Sequence, residues 1–117
     1  HDKNLARWIV DQLGVQTGDH IVEIGPGLGA LTGWLAQYDA RLTLVEKDGR
    51  MIQWLGQQFR SDRVELFHID ALDFDLRTLY GRGPVRIIGN LPYYVSTPLI
   101  AKYTAALSPA SMLVLTV

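Results

Sequence analysis

Three glycines at alternate positions follow an apolar run in the stretch E-I-G-P-G-L-G-A-L-T, residues 23–32. Gly25, Gly27 and Gly29 lack a Cβ, so the backbone can turn tightly there and approach a bound ligand closely. Glu46 lies about twenty residues downstream, and its two carboxylate oxygens can accept both hydroxyl protons of a ribose. This spacing indicates a site for a nucleotide-like ligand.

The glycine pattern fits two different cofactors. G-P-G-L-G-A satisfies the dinucleotide fingerprint in its G-x-G-x-x-A form, and it equally satisfies the G-x-G-x-G form used for S-adenosylmethionine. A glycine turn without a ligand, with Glu46 as a solvated strand end, is the remaining alternative. We expect a ligand, because an apolar strand precedes the turn and a helical pattern follows it.

A second carboxylate, Asp70, follows another apolar run. Its oxygens can accept a hydrogen bond from the exocyclic amine of an adenine, and the backbone N–H of Ala71 can reach a ring nitrogen. Asp70 is also a suitable N-cap for a following helix. The two roles are compatible, and the sequence does not choose between them.

The loop Asn90-Leu91-Pro92-Tyr93 distinguishes the two cofactors. Methyl transfer to an amino nitrogen depends on positioning more than on a strong base. Acceptors for the amine hydrogens, here the Asn90 side-chain oxygen and the Leu91 carbonyl, would make an adenine amine more nucleophilic and stabilise its developing charge. Pro92 stiffens the loop, and the Tyr93 ring can stack on the target base. An ordinary turn with a core tyrosine is the alternative.

Five apolar runs predict the strands that carry these residues. The runs occupy residues 20–24, 41–45, 64–69, 85–88 and 112–117. Strands with near-continuous apolar character are typical of parallel sheets, so the predicted fold is α/β, doubly wound and Rossmann-like. Glu46, Asp70 and Asn90 would then converge beyond the carboxyl ends of the strands, where such sheets bind ligands.

Helical patterns separate the strands. They cover residues 5–13, 28–38, 51–59, 71–80 and 97–107. In the first helix, Leu5 and Trp8 belong to the apolar spacing and are expected to face the sheet. In the last, Thr97 is the expected N-cap and Pro98 the expected first helical residue.

The composition limits the possible classes of protein. With 117 residues, 48% hydrophobic and 20% charged, the chain predicts one globular domain. It contains no cysteine, which excludes disulfides and thiolate metal sites and favours a cytoplasmic location. We expect no membrane span and no metal site, and we interpret His20 as a residue that begins a strand. The net charge of -1 does not by itself indicate nucleic-acid binding.

Four segments together resemble one enzyme family. They are E-I-G-P-G-L-G-A-L-T at 23–32, V-E-K-D at 45–48, D-A-L at 70–72 and N-L-P-Y-Y-V-S-T-P-L at 90–99. In order and spacing they are similar to the KsgA-type small-subunit ribosomal RNA adenine N6,N6-dimethyltransferases. The resemblance implies that S-adenosylmethionine supplies two methyl groups in turn to each of two adjacent adenosines, and that ribosomal RNA of the small subunit is the partner.

The resemblance also implies roles for residues. Gly25 and Gly27 would approach the methionine part of the cofactor, Glu46 the ribose, and Asp70 with Ala71 the adenine. The segment from Asn90 to Tyr93 would hold the target base. Other residues of these motifs are assigned to the cofactor site: Glu23, Gly29, Lys47 and Asn90.

Further expectations concern the extent of the domain. The resemblance implies that residues 1–117 are an incomplete S-adenosylmethionine-binding domain, truncated after the fifth strand and lacking an N-terminal segment, the last strands and a helical RNA-binding domain. The exposed edge of the fifth strand would then favour self-association. Two alternatives remain open: a nicotinamide-dependent oxidoreductase, and a non-catalytic RNA-binding or transcription-factor relative.

Overall fold

One parallel sheet forms the centre of the molecule. The computed structural model describes residues 3–91, 93–105 and 109–116, with the backbone alone for 93–96. The strands are β1 His20–Ile24, β2 Arg41–Glu46, β3 Val64–His68, β4 Val85–Asn90 and β5 Ala110–Thr116. They lie in the order β3-β2-β1-β4-β5 and every neighbouring pair is parallel. The predicted doubly wound α/β fold is confirmed, since the strand order reverses at β1.

The described residues form four α-helices and one 3-10 helix, and all but the first of these lie between consecutive strands. They are α1 Lys3–Asp11, α2 Thr32–Leu35, α3 Gly49–Gln58, the 3-10 helix Leu76–Leu79 and α4 Tyr93–Tyr103. Within the part of the chain that the structure describes, no helix is both long and apolar enough to cross a bilayer.

The sheet separates the core into two apolar clusters. Alternate side chains of a strand point to opposite faces, so Ile21 of β1 joins a cluster with Leu35 and Leu55, while Val22 joins one with Tyr103. Residues from α1, α2 and α3 therefore pack on one face, and residues of α4 and the segment before β4 pack on the other. Both faces of β1, β2 and β4 are covered along most of their length, which explains why these central strands are so apolar.

The first helix is rotated relative to the prediction. Leu5 and Trp8 are 54% and 59% exposed, so the expectation that they face the sheet is wrong. The buried positions of α1 are Ala6, Ile9 and Val10. Ala6 and Val10 lie four residues apart on one face, and the small Ala6 allows the helix to lie close to its neighbours.

The helix predicted over 28–38 is much shorter. It covers only Thr32–Leu35, and Leu28 is 66% exposed. Positive φ angles at Gly25, Gly27 and Gly29 keep the preceding backbone in a series of turns, because a right-handed helix requires negative φ. The leucine spacing that predicted an earlier start therefore does not form a helical face.

The last helix begins earlier than predicted. It starts at Tyr93, so Thr97 is not its N-cap and Pro98 lies inside it. Proline is tolerated best near a helix start, which is why the sequence pattern favoured the later start.

The helix predicted over residues 71–80 is not an α-helix. This segment forms a turn followed by the 3-10 helix.

Strand boundaries differ by a few residues. Strand β3 ends one residue before the predicted Ile69, and β4 continues to Asn90, which therefore ends a strand and does not begin a free loop. Strand β5 begins at Ala110, earlier than predicted, and Val117 lies outside the described residues.

Candidate active site

A cavity of about 260 Å³ lies at the carboxyl edge of the sheet. Most of the residues predicted for the site line it, together with apolar side chains. The lining residues are Ile24, Gly25, Val45, Glu46, Lys47, Ile69, Asp70, Ala71, Asn90, Leu91 and Leu99. The predicted convergence of Glu46, Asp70 and Asn90 is confirmed, and their chemical roles stay predictions.

The three glycines of the turn have different surroundings. Gly25, at φ +65°, lines the cavity, and a Cβ there would lie 3.0 Å from Leu91 Cδ2. Gly27, at φ +56°, would carry a Cβ into open space. A Cβ on Gly29 would lie 2.9 Å from the Phe59 ring, so this glycine permits packing against the end of α3. Gly29 does not line the cavity.

Glu46 ties the glycine turn to the end of β2. Its Oε1 accepts a hydrogen bond from the Gly27 N–H at 2.9 Å, and its Oε2 accepts one from the Asp48 N–H at 3.0 Å. The side chain is only 7% exposed. Each carboxylate oxygen keeps a second lone pair, so the oriented carboxylate can still accept hydrogen bonds from a ligand.

Glu23 lies behind the turn. It is 1% exposed, it does not line the cavity, and its Oε1 accepts a hydrogen bond from Thr32 Oγ1 at 2.5 Å. Burial raises its pKa to about 8, so the neutral acid predominates at pH 7. The structure therefore does not bring Glu23 to the cofactor side with the other predicted residues. It places Glu23 under the turn, where it holds the start of α2.

Asp70 closes a turn beside the cavity. Its Oδ1 accepts a hydrogen bond from the Leu72 N–H at 2.9 Å, and its carbonyl accepts one from the Asp73 N–H at 2.9 Å. The predicted capping role is thus realised in a turn and not at the start of an α-helix. No described residue donates a hydrogen bond to Oδ2, which leaves that oxygen available to a ligand.

Strand β5 holds the Asn90-Leu91 segment. Thr116 Oγ1 donates a hydrogen bond to Asn90 Oδ1 at 2.7 Å, and the Thr116 carbonyl accepts one from the Leu91 N–H at 2.9 Å. Sequence reasoning missed Thr116, because its position opposite Asn90 depends on strand register. Pro92 lies outside the described residues, and for Tyr93 only the backbone is described. Their predicted roles therefore stay predictions.

Sequence comparison identifies the family. A family model described as "Ribosomal RNA adenine dimethylase" matches residues 1–117. The chain belongs to this family. The dimethylase motifs thus coincide with the cavity at the carboxyl edge of the sheet, and the resemblance seen in four segments extends over the whole chain.

Individual dimethylase relatives agree with this assignment. The chain is 50% identical over 101 residues to ribosomal RNA small subunit methyltransferase A of Alcanivorax borkumensis, covering 86% of the chain and 36% of the relative. It is 40% identical over 101 residues to the protein of that name from Prosthecochloris aestuarii, covering 86% and 38%. The chain therefore spans little more than a third of the length of these relatives.

Solved structures share the fold. A dimethyladenosine transferase from Plasmodium falciparum superposes with a TM-score of 0.70 at 26% identity, covering 86% of this chain and 36% of that protein. An RNA methyltransferase from Salinibacter ruber in complex with S-adenosyl-L-homocysteine gives 0.73 at 18% identity, covering 88% and 67%. The second likeness concerns the fold alone.

Proposed function

We propose that this chain is the cofactor-binding part of an enzyme that transfers methyl groups from S-adenosylmethionine to the N6 amines of two adjacent adenosines in small-subunit ribosomal RNA. The observation that carries the proposal is the arrangement of Glu46, Asp70 and Asn90 around a single cavity in a chain of the dimethylase family. The proposed partner is the small ribosomal subunit, and the proposed location is the cytoplasm.

The cavity fits the adenosine part of S-adenosylmethionine. Carboxylates at Glu46 and Asp70 supply acceptors for ribose hydroxyls and an adenine amine, and Ile69 and Leu99 supply apolar contact for a flat ring. We assign the methionine part to the glycine turn, where Gly25 lines the cavity and a Cβ on Gly27 would meet no neighbouring atom. When bound, the cofactor supplies a methyl group on a positively charged sulfur.

Glu46 is oriented before any ligand binds. Two backbone N–H groups fix both of its oxygens, so little side-chain freedom remains to be lost on binding. We assign the ribose hydroxyls to this carboxylate. Lys47 follows directly in the sequence and also lines the cavity.

The target amine is assigned to the end of β4. The Asn90 Oδ1 and the Leu91 carbonyl would accept the two amine protons, which favours a nucleophilic nitrogen and stabilises the positive charge that develops during transfer. Thr116 of β5 donates to Asn90 Oδ1 and accepts a hydrogen bond from the Leu91 N–H. These two bonds would help to hold the segment in place for an in-line displacement. Stacking of the target base on Tyr93 is part of the proposal.

Calorimetric titration of the chain with S-adenosylhomocysteine and with NAD tests the choice of cofactor. We expect S-adenosylhomocysteine to bind and NAD to bind much more weakly or not at all. Tighter binding of NAD would overturn the proposal in favour of an oxidoreductase. Cofactor binding by a full-length gene product that methylates no ribosomal RNA would favour a non-catalytic relative.

A further inference from the structure

One lysine of α4 holds the turn that follows β3. Lys102 Nζ donates hydrogen bonds to three carbonyl oxygens, those of Ala71 at 3.0 Å, Leu72 at 2.6 Å and Phe74 at 2.6 Å. An ammonium group has three donors, and here each has an acceptor in the same short segment. The positive charge therefore fixes the path of residues 71–74 from the side of α4.

The neighbouring tyrosine supports the same turn. The Tyr103 hydroxyl donates a hydrogen bond to the Ala71 carbonyl at 3.0 Å, and the ring is 2% exposed. Burial raises the pKa of this phenol, so the donor proton is retained. With Lys102 and Tyr103 both donating, the two lone pairs of the Ala71 carbonyl oxygen are occupied.

The same peptide group is fixed from its other side. The Leu72 N–H, which shares a peptide plane with the Ala71 carbonyl, donates to Asp70 Oδ1 at 2.9 Å. Any rotation of this plane would break contacts with α4 and with the Asp70 carboxylate together. The orientation of Asp70, which lines the cavity, thus depends on two side chains that do not line it.

We propose that Lys102 and Tyr103 are positioning residues that orient the Asp70 carboxylate toward the adenine amine of the cofactor, and thereby determine preference for adenine over a 6-oxo purine. The inference rests on the proposed function. A carboxylate accepts a hydrogen bond from a 6-amino group, whereas a 6-oxo group offers only another acceptor. A site built around a hydrogen bond rejects a ligand that lacks the donor.

The test compares two ligands that differ at one position of the base. Dissociation constants for S-adenosylhomocysteine and S-inosylhomocysteine are measured by calorimetry on the full chain. We expect the wild-type chain to prefer the adenosyl ligand by about 10-fold or more. In Lys102→Met this preference should fall to about 2-fold. In Tyr103→Phe the preference should also fall, but by a smaller factor than in Lys102→Met.

A matched control removes a positive charge nearby. Arg77 pairs with Asp75 at 2.9 Å and is 80% exposed, and the described residues give it no contact with the 70–74 turn. Arg77→Met should leave both dissociation constants unchanged. Circular dichroism of each variant checks folding, and Tyr103→Phe decides the question if Lys102→Met does not fold.

The possible failures are separable. If the two variants weaken both ligands equally, so that the preference is unchanged, Lys102 and Tyr103 are merely structural and the inference is overturned. If the wild-type chain binds both ligands equally, Asp70 does not accept a hydrogen bond from the adenine amine, and the inference also fails. The proposed function is not contradicted by that result. If the wild-type chain binds neither ligand, the proposed function itself is contradicted.

Discussion

Asn90 depends on a side chain 26 residues away in the sequence, the hydroxyl of Thr116. This bond fixes the plane of the Asn90 amide, and a hydrogen bond of this kind contributes about 1 kcal/mol. We expect Thr116→Val in the full-length gene product to lower kcat for RNA methylation by about 10-fold, with little change in affinity for S-adenosylhomocysteine.

Thr116→Ser is the matched control, because it retains the hydroxyl group. It should restore most of the lost kcat in a steady-state methylation assay. Wild-type turnover by Thr116→Val would show that Asn90 needs no such support.

Residues of the site were predictable where they follow strands directly. Glu46, Asp70 and Asn90 each come at the end of an apolar run, and the general position of ligands in parallel sheets then places them together. Lys102 and Tyr103 were not predictable, because their partners lie about 30 residues earlier in the chain and their contacts depend on the packing of α4. The motif assigned Glu23 to the cofactor site. In the structure its side chain is buried, bonds to Thr32 and does not line the cavity.

At the scale of elements, the junction of β1 and α2 contains a buried acid. Burial raises the pKa of Glu23 to about 8, above its usual 4.5. The folded protein therefore keeps a proton that the unfolded chain releases, and stability falls as pH rises from 4.5 to 8, by up to about 1.4 kcal/mol per pH unit.

Glu23→Gln removes this ionisation while its amide oxygen can still accept the Thr32 hydrogen bond. We expect the variant to melt at a higher temperature than the wild type at pH 8, with the difference shrinking toward pH 5. Comparison of the two proteins at each pH cancels the opposite effect of His20, whose pKa burial lowers to about 4. A difference that is equal at pH 5 and pH 8 would contradict the assigned pKa.

Element boundaries were predicted best where composition changes sharply. Strand β1 has the bounds expected from H-I-V-E-I, since polar and glycine residues flank it. The start of α2 was missed because turns at positive φ can carry leucines at helical spacing. The start of α4 was missed because Pro98 is a strong local signal, which the tertiary structure overrides.

At the scale of the whole molecule, β5 is the edge of the described sheet and pairs only with β4. Open strand edges can pair with another chain, and Met112 of β5 is 38% exposed. We propose that the chain self-associates through this edge, so light scattering should show a mass that increases with concentration.

Met112→Lys should reduce this association, because a charged side chain on an edge strand disfavours pairing between molecules. A wild-type chain that remains monomeric at high concentration would contradict the proposal.

The architecture as a whole was predictable from the sequence. Alternation of apolar runs with helical patterns, together with the right-handed connection of parallel strands, leaves few other arrangements. The exposure of Leu5 and Trp8 was not predictable, because a helical pattern gives the spacing of apolar residues but not how the helix is rotated about its axis.

The proposed role of the Asn90 side chain is tested most directly by Asn90→Ala in the full-length gene product, with methylation of small-subunit ribosomal RNA measured beside calorimetry with S-adenosylhomocysteine. We expect at least about a 100-fold loss of methylation, with cofactor affinity largely preserved. Methylation at the wild-type rate would contradict this role of Asn90.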